Sequence, residues 1–281
     1  MGAQLRIGDE DVEVSARRGV ILATGGYDHN AEMQRQFDPH PPATPFTKPT
    51  LDGSGLQAAM NIGGSFASII GQLMAPVYVI PPESPNESAI VGNVAGREPS
   101  FPGSIVVNTD GKRFCDDSFY RSIVLAMSRF DPKPCRYPNL LAYLVFDEEW
   151  KRTYRLGYVK QGDVPEWMPR AEDARALARQ IGMSESGPEQ TIAAFNRSAE
   201  TGDPSADEFG RGSMAWARNN GDSRITPNSC NRPLEGTLYA IELKLGTMGT
   251  LSGLAVDAEA RVLRSDGTPI EGLYSCGQSM A

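Results

Sequence analysis

The sequence predicts an α/β protein with an α+β part added to it, and three stretches carry that reading. Gly19-Val20-Ile21-Leu22-Ala23-Thr24-Gly25-Gly26 is apolar without alternation and ends in glycines, the pattern of a buried parallel strand whose C-terminal end opens into a loop. Residues 171–202 carry two sets of helix signals, the second with Pro188 in its first turn and Gly202 beyond its last. Residues 238–263 return to strand-forming runs separated by turns at regular intervals. A chain of 281 residues, 40% hydrophobic and 22% charged, has room for one large domain or two modest ones, which excludes a small stapled or disordered protein. The net charge of −8 speaks against a nucleic acid or an anionic membrane as the main partner. No apolar stretch is long enough to span a membrane and the polar N-terminus has no signal-peptide core, so a cytoplasmic location is expected.

Two scarcities narrow the chemistry. His29 and His40 are the only histidines, which leaves little for a zinc site or a Ser-His-Asp triad, and no metal site is expected. Cys115, Cys135, Cys230 and Cys276 form no C-x-x-C pair and suit reduced thiols.

In chain order, residues 4–7 and 12–16 read as a strand pair around a Gly8-Asp9-Glu10-Asp11 turn. Asp28 or Asn30 is placed to cap a short helix over Ala31–Phe37. Asp52-Gly53-Ser54-Gly55 opens a helix with Leu56, Ala59, Met60 and Gly63 at helical spacing, and such a turn offers backbone N–H groups to a phosphate. Residues 76–102 shift to Pro, Asn, Ser and Glu and read as a loop-rich crossing. Ser104–Asn108 is a strand expected to form a hairpin with residues 112–115 through Thr109-Asp110-Gly111. Asp117 or Ser118 is expected to cap a helix over residues 119–130, with Tyr120, Val124 and Met127 on one face and Arg121 beside them. Residues 140–146 read as a strand, and residues 171–181 and 188–201 as helices. Residues 238–245, 254–256 and 261–263 are strands, and residues 272–276 form an apolar strand running to Gly277.

Six blocks, RRGVILATGGYDHNAEM, DGSGLQAAMNIGGSF, SIVVNTDGKRFCDDSFY, TIAAFNRSAETGDPSADEFGRG, LYAIELKLGTMGTLSGLAVDAEARVL and DGTPIEGLYSCGQ, resemble in that order the FAD-dependent fumarate reductase and 3-ketosteroid dehydrogenase flavoprotein family. The resemblance implies a partial FAD-binding domain of the two-dinucleotide-binding type, interrupted by a capping domain. The flavin-side pieces are expected at residues 1–76 and 239–281, with the cap at 77–238. The family's G-x-G-x-x-G loop for the FAD pyrophosphate is absent from this sequence, as is the glycine-rich helix that follows the GLYSCGQ-like strand. The chain is therefore expected to be truncated at both ends, with a preceding segment or a separate chain supplying that loop.

The same resemblance assigns candidate residues. Thr24, Gly25, Gly26, Gly53, Gly55, Gly249, Gly253 and Gly277 are expected on the FAD side. Fumarate reductases of the family carry histidines where this chain has Met74-Ala75-Pro76 and Leu245-Gly246, so the chain is closer to the ketosteroid dehydrogenase branch, with Ser252 in place of a glycine. The implied reaction removes two hydrogens from a carbon–carbon bond next to a ketone in a small hydrophobic, ketosteroid-like substrate. A base takes the proton α to the carbonyl and a donor supports the enolate oxygen. Tyr239 is the expected donor. The base falls on Tyr120 or, one residue on, Arg121, and in the second case the site is that of a reductase whose arginine delivers a proton to an unsaturated carboxylate. A cofactor-free binding module derived from a flavoprotein is the remaining alternative. Tyr27, Tyr78, Met74, Met127 and Met248 are further candidates for an apolar pocket.

Overall fold

Two segments far apart in sequence build one unit of the chain, Met1–Leu73 with Thr247–Ala281, and the stretch between them, Met74–Gly246, builds the other. The computed structural model describes residues 2–69, 74–78, 80 and 93–281.

In the first unit the apolar run after Gly19 becomes the strand Val20–Leu22, which pairs in parallel with Pro269–Ser275. The latter pairs antiparallel with Arg261–Leu263, giving a three-stranded sheet with Val20–Leu22 at its edge. The parallel pairing agrees with the sequence, but burial on both faces does not follow. Side chains alternate along a strand, so Val20 and Leu22 pack on the core of Tyr27, Met33, Leu56, Ala59, Leu254, Val262, Ile270 and Leu273 while Ile21 is 68% exposed. Gly2–Ile7 and Glu10–Ser15 form the N-terminal hairpin, its turn reduced to Gly8 and Asp9. Asn30 caps Ala31–Phe37 by accepting from the Met33 N–H. The helix Ser54–Asn61 starts from Gly53 in the left-handed region, where a Cβ would lie 2.5 Å from the Met33 sulfur, so glycine is required there.

The second unit is built on the strand path Asn93–Val94, Met74–Tyr78, Leu238–Thr247, Ala142–Asp147 and Ser104–Asn108. Its central strand, Leu238–Thr247, pairs along its first half with Ala142–Asp147. Most of that strand therefore belongs to this unit, and the second junction falls at Gly246–Thr247, later than the expected break at Tyr239. One face carries Ile105, Val107, Tyr143, Val145, Leu238 and Ala240. Against it pack Leu177 and Ala178 of the helix Ala174–Gln180 and Phe195 and Ala199 of Gly187–Thr201.

Three local expectations are corrected. The crossing expected over 76–102 begins with a fully buried strand, Met74–Tyr78. Pro76 has no N–H to give to a ladder, yet its carbonyl still accepts from Ala95. Residues 79 and 81–92 of that stretch lie outside the described residues. The hairpin between Ser104–Asn108 and 112–115 does not form. The Asn108 side chain accepts from the N–H groups of Asp110 and Lys112, closing the turn locally, and Ser104–Asn108 pairs with Ala142–Asp147 instead. Neither Asp117 nor Ser118 caps the next helix, Tyr120–Met127, whose N-cap is Phe119. Asp117 is consumed by buried arginines. Among the described residues no helix is long and apolar enough to cross a membrane.

Candidate functional site

In the first unit the adjacent C-terminal ends of parallel strands open into Ala23-Thr24-Gly25-Gly26 and Cys276-Gly277. The Ser279 hydroxyl donates to the Gly25 carbonyl at 3.1 Å and lies 3.5 Å from the Thr24 hydroxyl. A Cβ on Gly26 would stand 2.1 Å from Thr250 Oγ1, and one on Gly55 would stand 2.1 Å from Thr24 Oγ1. On Gly249 it would meet Gln278, and on Gly253 the Met280 backbone. The Gly53 N–H donates to the Gly26 carbonyl at 3.1 Å. The expected FAD-side residues thus converge on one set of loops. Their glycines permit close packing of chain on chain, and Gly277 is the exception: it is exposed with open space where a Cβ would point.

Sequence reasoning missed a buried polar group beside them. Thr247 Oγ1 lies 3.2 Å from Asp28 Oδ1, while Asp28 Oδ2, Thr47 Oγ1 and Thr250 Oγ1 are buried without a hydrogen-bond partner among the described residues. Burial pushes the Asp28 carboxyl above the usual carboxylate range. Parallel strand ends with glycine loops, the exposed Thr24 hydroxyl and the orphaned Thr250 hydroxyl make a donor set that fits a hydroxyl-rich, phosphate-bearing dinucleotide.

In the second unit Tyr120 opens its helix with a half-buried ring. Its ring centroid lies 5.4 Å from that of Phe119 and 5.3 Å from that of Trp216, and its oxygen accepts from Arg121 Nε at 3.1 Å. Arg121 is exposed. Tyr239 is held differently, stacked on Phe146 at 5.7 Å with its hydroxyl donating to Glu148. Burial and that carboxylate push its phenol up to about 12, so it stays protonated near neutral pH. Sequence reasoning singled out the two tyrosines and Arg121 as candidates and did not single out their neighbours Trp216 and Glu148, since a lone Trp or Glu in a helix carries no spacing signal.

Beneath the Tyr120 segment lies a buried ion cluster. Asp117 accepts from Arg113 at 2.8 Å and Arg211 at 2.7 Å, and Arg113 also binds Asp207 at 2.6 Å. Burial pulls the Asp117 carboxyl up, but the two guanidiniums hold it down at about 2. The remaining candidates are packing residues. Tyr27 and Tyr78 are fully buried and donate to Asp38 and Glu98, and Met74 and Met127 are buried, while Met248 is 46% exposed.

Residues 1–281 match the FAD binding domain family, and the chain belongs to it. It is 31% identical over 95% of its length to 4-oxocyclohexanecarboxylate 2-dehydrogenase of Sinomonas cyclohexanicum, covering 46% of that protein. It is also 31% identical over 94% of its length to a 3-oxosteroid 1-dehydrogenase of Mycolicibacterium smegmatis, covering 47% of it. The crystal structure of 3-ketosteroid delta1-dehydrogenase from Sterolibacterium denitrificans, in complex with 1,4-androstadiene-3,17-dione, matches with a TM-score of 0.83 at 31% identity, over 98% of this chain and 50% of that one. The chain thus spans about half the length of the relatives it matches. FAD is the cofactor of this family of oxidoreductases.

Proposed function

We propose that this chain is part of an FAD-dependent dehydrogenase that removes two hydrogens from a carbon–carbon bond next to the ketone of a hydrophobic cyclic, ketosteroid-like substrate. The observation that carries the reading is 31% identity to two ketone dehydrogenases over nearly the whole chain. FAD, when bound, supplies the hydride acceptor. Thr24, Gly25, Gly26, Gly55, Gly249 and Gly277 are the residues proposed to hold it, through hydroxyl and backbone groups. Tyr120 is the proposed base for the proton α to the carbonyl, and Arg121 Nε donates to its oxygen. Tyr239 is the proposed donor to the ketone oxygen, and its protonated state suits that task. Its hydroxyl must first exchange its hydrogen bond to Glu148 for one to the ketone oxygen.

A second reading, reduction of an unsaturated carboxylate with Arg121 as proton donor, is favoured only by the exposure of Arg121. The pyrophosphate loop is proposed to come from a preceding segment or a separate chain. The test is the visible spectrum of the 281-residue chain after incubation with FAD and desalting, followed by anaerobic addition of a cyclic ketone. Retained flavin that bleaches with ketone is expected. Flavin that bleaches only with a reductant and is reoxidised by fumarate would replace this reading with the second.

A further inference from the structure

Thr247 Oγ1 has three close polar neighbours and a single proton to give. It lies 3.2 Å from Asp28 Oδ1 and 3.1 Å from the Gly249 carbonyl oxygen, and the Gly249 N–H donates to it at 3.1 Å. A threonine hydroxyl donates once and accepts twice. With Asp28 ionised, that one hydrogen faces two acceptors, and one of the two contacts sets oxygen lone pairs against each other. A neutral Asp28 closes the count, because its O–H donates to Thr247 Oγ1 while Thr247 donates to the Gly249 carbonyl.

The surroundings of the acid suit the neutral form. Asp28 is 1% exposed, and its Oδ2 is buried without a hydrogen-bond partner among the described residues. The titratable groups that bear on it are His29, whose ring is bonded to the Thr47 carbonyl, and Asp38, which accepts from Tyr27 and lies 3.7 Å from His40. Glu32, Arg35, Lys48 and Asp52 on the neighbouring segments are exposed. The turn Thr247-Met248-Gly249-Thr250 that this hydroxyl closes also sets Thr250 against Gly26 and Gly249 against Gln278. We propose that Asp28 is a positioning residue which, as a neutral acid, fixes this turn for the cofactor and ties FAD binding to one proton, an inference that rests on the placement of FAD at these loops. Loss of that proton turns the Thr247 hydrogen toward Asp28 and leaves the Gly249 carbonyl without a donor, so FAD is held more weakly as pH rises.

Two quantities measured on the whole chain from acid to neutral pH test this: the amide-exchange protection of the Thr247–Thr250 turn without cofactor, and the FAD dissociation constant from flavin fluorescence. In the unaltered chain protection should fall and the dissociation constant rise with pH, by up to about tenfold per pH unit, the slope of a single proton. Asp28→Asn keeps a donor and cannot titrate, so a protected turn and tight FAD are expected at every pH. Asp28→Ala has no donor and should bind FAD about tenfold more weakly throughout. If Asp28→Ala does not fold, the contrast between the unaltered chain and Asp28→Asn still decides. A slope that persists in Asp28→Asn belongs to His29 or His40 and overturns the proposal, as does FAD affinity that ignores pH while the turn responds to it. The expected exchange pattern in a chain that binds no FAD at any pH would keep the Asp28 donor and overturn the placement of FAD at these loops.

Discussion

At the scale of single residues, two tyrosines of the same unit stand in different surroundings. Tyr120 accepts a hydrogen bond from a cation, whereas Tyr239 donates one to a carboxylate and stays neutral. Tyr120→Phe is expected to lower kcat by about 10²- to 10⁴-fold, the usual range for a lost general base, with little change in melting temperature. Tyr239→Phe should lower kcat about tenfold or more and also cost roughly 1–3 kcal/mol of stability, because its hydrogen bond to Glu148 is charge-assisted. A stability loss in denaturant titration with turnover intact would reduce Tyr239 to a packing residue. Both tyrosines were singled out in the sequence through their motif neighbours. Trp216 and Glu148 were not, because their positions depend on folds of the chain from 96 and 91 residues away.

At the scale of elements, glycines and buried charges fix how segments dock. The helix Ser54–Asn61 approaches the loop after Val20–Leu22 closely enough that a Cβ on Gly55 would overlap the Thr24 hydroxyl. Gly55→Ala must shift that loop, and weaker FAD binding by flavin fluorescence titration is expected, with the melting of the second unit unchanged. In the second unit the ion cluster ties the loop before Tyr120–Met127 to the loop after Gly187–Thr201. Arg211→Met would strand part of the Asp117 charge in the core, and a loss of about 3–5 kcal/mol is expected in urea unfolding. The hairpin signal at Thr109-Asp110-Gly111 misled because an aspartate-glycine turn is equally compatible with a loop closed by a side chain, and Asn108 supplied that side chain.

At the scale of the whole molecule, one buried carboxylate in each unit answers pH in the opposite sense to the other. Asp117 is depressed to about 2 by Arg113 and Arg211, so it binds fewer protons folded than unfolded. Its stabilising contribution is full above the ordinary carboxylate value near 4 and is lost as pH falls toward about 2. Asp28 is raised by burial, so the folded first unit binds more protons, and its contribution falls as pH rises from the ordinary value through the raised one. Hydrogen exchange followed from about pH 6 down to about pH 3 should therefore show the segments around Asp117 loosening while the Asp28 region gains protection. Asp28→Asn should remove the latter change, and its persistence in that variant would refute the assignment.

The order of glycine-bearing blocks along the sequence was enough to determine the family, the cofactor class and the parallel strand of the first unit, because backbone turns demand particular residues at particular places. Tertiary structure decided the rest. A buried strand containing Pro76 that lies beside Leu238–Thr247, and the ion pair of Asp117 with Arg211 across 94 residues, are pairings across long stretches of chain. Local spacing carries no record of such partners, since their energies depend on burial and distance that exist only once the chain has folded.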